Sequence, residues 1–115
     1  MEQIQVTARF PQIAKENLDE FKRLAGDALK VTAEDPGVPQ YDWFFSDDES
    51  TCVVRETYAS SEAVLAHLAM VGETLGTMIE LGGGVEVEVF GTPSETLGQA
   101  ISAMQPNVYP FFQGK

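Results

Sequence analysis

The stretch from Tyr41 to Leu68 constrains the fold more than any other part of the chain. It contains two strand-like runs, Tyr41–Ser46 and Thr51–Tyr58, separated by the polar tetrapeptide DDES at 47–50. A polar linker of four residues between two β-prone runs is typical of a β-hairpin. The sequence therefore predicts two antiparallel strands joined directly by a tight turn.

A helix is predicted to follow this hairpin without a linker. Ser60 or Ser61 can cap the exposed N–H groups of the first turn, and Glu62 is favoured there by the helix dipole. The predicted helix carries His67, which is the only histidine of the chain. Because histidine titrates near neutral pH, His67 is the first candidate for acid–base chemistry.

The remaining elements follow from the periodicity of apolar residues. Strict alternation predicts a half-buried strand, and spacing of three to four residues predicts a helix. Gly72 lies within the longest helical stretch and predicts a break or a kink, since glycine is a poor helix former. These patterns give strands at 4–10 and 85–90, helices at 13–31 and 61–81, and a short helix at 95–104 capped by Ser94.

The predicted order is β-α-β-β-α-β with an extra C-terminal helix. Such a ferredoxin-like α+β unit forms a four-stranded antiparallel sheet with both helices on one face. Strand order 4-1-3-2 keeps both crossovers right-handed. We expect a single domain over 1–115, with a core at about 1–91 and a helix and aromatic tail at about 94–115. Three aromatic residues predict that the tail is ordered by packing: Tyr109, Phe111 and Phe112.

The helices leave the other face of the predicted sheet uncovered. That face is partly apolar, and its charged residues include both signs, which is typical of a surface that meets a second subunit. A solvated sheet with a few stray aromatic residues is the alternative. The predicted dimer interface consists of Phe44, Val53, Arg55, Glu86, Glu88 and Phe90, with Arg9 or Arg55 of one chain pairing with Glu86 or Glu88 of the other.

Composition excludes several classes of partner. Eighteen acidic residues against seven Lys and Arg give a net charge of −11, which disfavours nucleic acid and anionic membranes. No apolar run approaches the roughly 18 residues that a membrane span needs. The first ten residues lack the pattern of a secretion signal, and a single cysteine, Cys52, rules out an internal disulfide. We therefore expect a cytoplasmic protein with a structural Cys52.

Taken together, these motifs identify a family resemblance. The chain resembles the antibiotic-biosynthesis-monooxygenase-like (ABM) family of dimeric α/β barrels. The likeness covers nearly the whole chain. It is carried by the hairpin, the runs ETY at 56–58, SEA at 61–63 and AHL at 66–68, the strand at 85–91, and the helix and tail at 94–112.

The resemblance implies a small monooxygenase without a cofactor that acts on an electron-rich aromatic such as a quinol or a polycyclic phenol. In this reading His67 is the catalytic base, Glu56 orients it through a hydrogen bond, Tyr58 donates to the substrate and Trp43 forms a wall of the pocket. Glu56 and Tyr58 lie on the same face of their strand, two residues apart. Taken alone, the residues leave other roles open: a packed core histidine, a solvated Glu56 and a core tryptophan.

Other functions compete with this interpretation. A non-catalytic module that binds a small apolar ligand needs the same pocket but no titratable pair. Haem degradation, which also occurs in the family, requires a histidine placed to ligate iron, and His67 has no secure match to it. One histidine and one cysteine make a weak metal pattern. The GGG run at 82–84 precedes a strand and does not form a phosphate loop, and no flavin or nicotinamide fingerprint is present.

Overall fold

The chain alternates strands and helices in the predicted order and then adds one more strand. The structure, a computed structural model, describes residues 3–115. Single turns of 3₁₀ helix at Lys15–Asn17 and Ser102–Met104 precede the first helix and follow the last. The main elements are β1 (Ile4–Phe10), α1 (Leu18–Thr32), β2 (Gln40–Phe45), β3 (Cys52–Tyr58), α2 (Ser61–Leu81), β4 (Glu86–Phe90), α3 (Glu95–Ile101) and β5 (Asn107–Tyr109).

The sheet has the order β2-β3-β1-β4-β5. Its first four strands are antiparallel and have the predicted arrangement 4-1-3-2. The prediction of only four strands was wrong, because β5 pairs in parallel with β4 and places Val108 beside Val89. The missed strand has only three residues between Pro106 and Pro110, which is too short to show a period of two.

Two serine caps fix where α2 and α3 begin. The Ser60 hydroxyl accepts a hydrogen bond from the Ala63 N–H at 3.1 Å, and the Ser94 hydroxyl accepts from the Leu97 N–H at 3.1 Å. Both helices begin at the predicted positions. The Ser61 hydroxyl also accepts from the Ser94 N–H at 3.0 Å, which ties the starts of the two helices together.

α2 is continuous from Ser61 to Leu81, so the predicted break near Gly72 is absent, while the predicted kink stays a prediction. Glycine keeps its N–H donor and costs only about 1 kcal/mol relative to alanine in a helix, which packing on both sides can offset. By length and composition alone α2 could cross a membrane, a property that apolar core helices share. Here its inner side lies on the sheet and buries Val64, His67, Val71 and Met78.

The exit from α2 depends on glycine. Gly83 adopts a positive φ of 75°, a conformation that residues with a Cβ rarely adopt. A Cβ at Gly83 would also lie 2.7 Å from the carbonyl oxygen of Gln12. This tight crossing directs the chain into β4 beside β1.

The inner face of the sheet and the helices form the core in two clusters. One surrounds Phe10 and Phe21, and the other surrounds Ile4 and Leu97. Tyr41 and Val85 pack against both clusters. The candidate site lies where these clusters meet.

The outer face of the sheet is not covered by the chain's own helices. Phe44 and Phe90 are exposed there, as predicted. Arg9 pairs with Glu86 of the same chain at 2.7 Å, and its pairing with a second subunit stays a prediction. Glu88 accepts a hydrogen bond from the Thr7 hydroxyl at 3.1 Å.

The aromatic tail is ordered over β5 but does not pack throughout. The Tyr109 ring stacks on Phe90 with centroids 5.4 Å apart. Phe111 is more than half exposed, and Phe112 is 91% exposed. Of the three aromatic residues on which the prediction of an ordered tail depends, Tyr109 therefore packs against the sheet and Phe112 does not.

Candidate functional site

A small cavity lies between the inner face of the sheet and helices α2 and α3. It offers about 60 Å³ to the centres of water-sized molecules, which is room for a few waters. Most of its walls are aliphatic. The apolar lining includes Ile4, Val6, Ala8, Val64, Leu68, Val71, Leu75, Met78, Val85, Val87, Val89, Leu97, Ile101 and Met104.

Polar side chains from three elements meet at one side of this cavity. β2 contributes Tyr41 and Trp43, β3 contributes Glu56 and Tyr58, and α2 contributes His67. The hairpin places Tyr41 directly opposite Glu56 on the neighbouring strand. The cavity is therefore apolar at the β4 and α3 side and polar at the hairpin side.

Glu56 is held by Tyr58 rather than by His67. The Tyr58 hydroxyl donates a short hydrogen bond to Oε1 of Glu56. Burial raises the pKa of Glu56 to about 7, and the Tyr58 hydrogen bond opposes part of this rise. The predicted Glu56–His67 hydrogen bond is not formed, and the carboxylate instead accepts a hydrogen bond from Tyr58, two residues along the same strand.

His67 is 3% exposed and is enclosed by two tyrosine rings. Its ring meets Tyr41 edge to face with centroids 4.9 Å apart, and the centroid of Tyr58 lies at 5.5 Å. Burial lowers the pKa of His67, while the charge of Asp35 acts in the opposite direction. His67 is therefore a neutral imidazole at pH 7.

Two buried nitrogen atoms at this side of the cavity have no hydrogen-bond partner. They are Nδ1 of His67 and Nε1 of Trp43. The indole N–H can only donate, whereas Nδ1 of a neutral imidazole can either donate or accept. Because buried polar groups are usually partnered, these two nitrogens are candidate contacts for a water or a ligand in the cavity.

Burial also raises the pKa values of both tyrosines. Desolvation is the main cause for Tyr41 and for Tyr58, and the nearby charge of Glu56 adds to it. Both phenols are therefore neutral donors at physiological pH. The site thus combines neutral donors with one carboxyl group that changes charge near pH 7.

The structure brings together all four predicted pocket residues: His67, Glu56, Tyr58 and Trp43. Their roles in catalysis or substrate binding stay predictions. Tyr41 is not among the site residues predicted from the sequence, although the four-residue turn sets a register that pairs it with Glu56. The residues predicted for the dimer interface lie on the opposite face of the sheet.

Metal-binding groups are absent from the part of the chain that the structure describes. No three His, Cys, Asp or Glu side chains within residues 3–115 lie close enough to hold a metal ion. Cys52 is fully buried in the Phe10 cluster, and burial raises the pKa of its thiol to about 12. It does not line the cavity.

Several solved structures share this fold. MupZ from Pseudomonas fluorescens is 21% identical over all of this chain and 94% of its own, with a TM-score of 0.80. A conserved protein from Methanosarcina mazei Go1 is 19% identical over 77% of this chain and 91% of its own, with a TM-score of 0.68. A Caulobacter crescentus CB15 protein named as an antibiotic biosynthesis monooxygenase is 26% identical, covering 76% of this chain and 87% of its own, with a TM-score of 0.62.

The likeness to MupZ includes α3 and the tail, since it spans the whole chain. No curated protein matches the sequence significantly. The family model described as antibiotic biosynthesis monooxygenase matches residues 4–71, which is more than half of the chain and includes His67, Glu56 and Tyr58. The chain therefore belongs to the antibiotic biosynthesis monooxygenase family.

Proposed function

We propose that this protein is a cofactor-independent monooxygenase that oxidises an electron-rich aromatic of the quinol or phenol type. One observation carries the proposal: a small, largely aliphatic cavity has a titratable carboxyl group, Glu56, at its polar side next to buried donors. Its aliphatic walls suit an aromatic ring once the cavity widens beyond its present volume of about 60 Å³, and its polar side suits the oxygen of that ring. Membership of the family supports a monooxygenase or a small-molecule binding role.

The proposed reaction draws all its electrons from the substrate. A base removes the phenolic proton, and the resulting anion transfers one electron to O₂. The two radicals combine at a ring carbon to form a peroxide, which takes up a proton. Loss of water then leaves a carbonyl at that carbon, so that a phenol and O₂ give a quinone and water.

The contacts favour Glu56 over His67 as the base. A general base works best when its pKa lies near the working pH, and the pKa of Glu56 is about 7. Tyr58 holds one carboxylate oxygen and leaves the other free to accept the proton. His67 and Trp43, whose nitrogens lack partners, would then hold the substrate oxygen.

Oxygen uptake tests this proposal. A panel of monocyclic and bicyclic hydroquinones is offered to the wild type, and consumption of O₂ is followed together with formation of the hydroxyquinone, which contains one oxygen atom from O₂. Glu56→Gln should lower kcat at least about a hundredfold, and His67→Ala should lower kcat/KM at least about tenfold. Glu62→Gln, which changes an exposed carboxylate of α2, is the matched control and should retain activity.

A second function is favoured by one specific feature. Glu56 and His67 both line the cavity but are not bonded to each other, and a module that only binds small apolar molecules requires no such pair. Saturable binding of the hydroquinones with no oxygen uptake would support this binding function and contradict the monooxygenase.

We also propose that the protein is a homodimer whose sheets pack face to face. The support is the exposed apolar surface of Phe44 and Phe90 on a sheet face that the chain's own helices leave uncovered. Arg55 remains available for pairing with Glu88 of a second copy, since Arg9 already binds Glu86. Because the net charge of −11 opposes association, higher salt should tighten the dimer. The single buried thiol of Cys52 fits a reducing, cytoplasmic location.

A further inference from the structure

A second concave region lies on the other side of Tyr41. It is an open groove between α1 and the edge strand β2, with room for about 800 Å³. Tyr41 lines both this α1–β2 groove and the cavity beside His67. Its side chain therefore forms part of the wall between the two spaces.

The enclosed cavity alone is too small for an aromatic ring. It offers about 60 Å³, whereas a protein cavity that binds benzene has about 150 Å³. A ligand ring therefore requires one wall to move. Tyr41 is the wall whose displacement joins the cavity to a large existing space, and its position on the edge strand β2 leaves only one neighbouring strand to constrain it.

One positive charge in the groove is left without an ion pair. The groove is lined by Lys22, Arg23 and Lys30, which are three of only seven Lys and Arg residues, and by the carboxylate of Asp27. Lys22 pairs with Glu49 at 2.6 Å, and Arg23 pairs with Glu20 at 2.7 Å and with Asp27 at 3.3 Å. Within residues 3–115, Lys30 has no carboxylate at ion-pair distance, so its charge remains available to a ligand.

We propose that the α1–β2 groove is a binding subsite for the carboxylate end of the ligand, whose aromatic end enters the cavity past Tyr41. The ligand class is then an aryl carboxylate in which a short chain joins a phenol ring to the acid. The ring occupies the cavity beside His67 and Glu56, and the carboxylate lies near Lys30. This inference rests on the proposed function only in assuming that the cavity receives an aromatic ring.

Equilibrium binding tests the charge preference. The probes are 3-(4-hydroxyphenyl)propionate and its methyl ester, which have the same ring and chain but differ in charge. Binding is followed by the fluorescence of Trp43, the only tryptophan of the chain and part of the cavity wall. The acid should bind about three- to fivefold more tightly than the ester, the range expected for one exposed charge pair, although the protein carries a net charge of −11.

Two matched lysine variants show which lysine causes the tighter binding of the acid. Lys30→Gln should abolish the difference between acid and ester. Lys15→Gln removes the same charge from an exposed position outside the groove and should leave the difference intact. Equal affinity for both probes in the wild type, no binding of either at millimolar concentration, or equal effects of the two variants would overturn the proposal.

A glycine pair tests the access path without weakening the fold. A Cβ at Gly26, which lines the groove, or at Gly72 on α2, which does not, has no atom within 4 Å. Leucine at either helical position should therefore fold at least as well as glycine. In stopped-flow fluorescence, Gly26→Leu should slow association of both probes at least about threefold, while Gly72→Leu should not.

Equal association rates for the two leucine variants would contradict access through the groove. These binding tests are independent of turnover. A protein that binds the acid more tightly than the ester but consumes no oxygen would contradict the monooxygenase and support the subsite. A protein that consumes oxygen but binds acid and ester equally would contradict the subsite and support the monooxygenase.

Discussion

The two faces of the sheet differ in which groups are left without a partner: polar atoms on the inner face and apolar side chains on the outer face. On the inner face the apolar side chains are packed, but the polar atoms Nδ1 of His67 and Nε1 of Trp43 are left without hydrogen bonds. On the outer face the polar groups of Arg9 and Thr7 are satisfied within the chain, but the aromatic ring of Phe44 is half exposed. The inner face therefore fits a small molecule with an oxygen, and the outer face fits another apolar surface.

One sheet therefore meets two requirements, since its inner face forms the cavity and its outer face forms a separate surface. Strand side chains alternate between the faces, so each strand can supply the cavity and the outer surface independently. Glu56 lies in the cavity, while its neighbour Arg55 lies on the outer face. Substitutions on one face should therefore leave the function of the other unchanged.

The largest expected effect concerns the inner face and pH. Because burial raises the pKa of Glu56 from 4.5 to about 7, the folded protein holds this proton more tightly than the unfolded chain does. The free energy of unfolding should therefore fall as pH rises from about 4.5 to about 7, by on the order of 3 kcal/mol, and then level off. Urea unfolding at pH 5 and pH 8 measures this change.

Two variants isolate the contribution of Glu56. Glu56→Gln should lose this pH dependence, while Glu86→Gln on the outer face should keep it. Groups such as Glu20 and Asp48, whose lowered pKa values act in the opposite direction, are present in both proteins and cancel in the comparison. An identical pH dependence in Glu56→Gln and the wild type would show that this carboxyl group is not buried as described.

The next effect concerns the outer face. Replacing Phe44 and Phe90 together by glutamate puts charge into the proposed dimer contact, and each chain supplies both positions. The dissociation constant should rise at least about a hundredfold, measured by sedimentation equilibrium. Met70→Glu, at a similarly exposed residue of α2, should leave association unchanged. A wild type that sediments as a monomer at micromolar concentration would refute the dimer.

The smallest effect concerns the edge of the sheet. Deleting residues 106–115 removes β5 and the Tyr109 ring that covers Phe90. An aromatic pair contributes about 0.5–1.5 kcal/mol beyond its buried area, so Tm should fall by at least about 4 °C in a scanning calorimeter. Phe112→Ala is the control, because that ring is almost wholly exposed and should leave Tm unchanged. An unaltered Tm after the deletion would mean that β5 adds no stability.

Most of the fold could be predicted because the patterns are local. Alternation in β1 and β4, a four-residue turn and serine caps each depend on neighbouring residues, and all of these elements are present. The fifth strand could not be predicted because three residues between prolines show no period. Continuity of α2 through Gly72 depends on the packing of the helical residues that precede and follow this glycine, which a local helix propensity does not include.

The residues of the candidate site could be predicted from the sequence, but the contacts between their side chains could not. The strand period puts Glu56 and Tyr58 on one face, and helical spacing turns His67 toward the core. Which of these bonds to which depends on side-chain torsions and on distances between elements, which a single sequence does not contain. Tyr41 could have been included, since the strand period puts it on the same face as Trp43, but its contact with His67 joins a strand and a helix and could not be predicted.

Because Cys52 is buried, the rate at which its thiol reacts can be used to measure how often the protein core opens. The thiol is the only one in the chain, it lies in the core on β3, and its pKa of about 12 leaves almost no thiolate at neutral pH. A thiol reagent can therefore react only with molecules in which the core around Cys52, at the start of β3, has opened. The rate of labelling then reports how often this happens under native conditions, and a ligand in the cavity would slow it in proportion to its affinity.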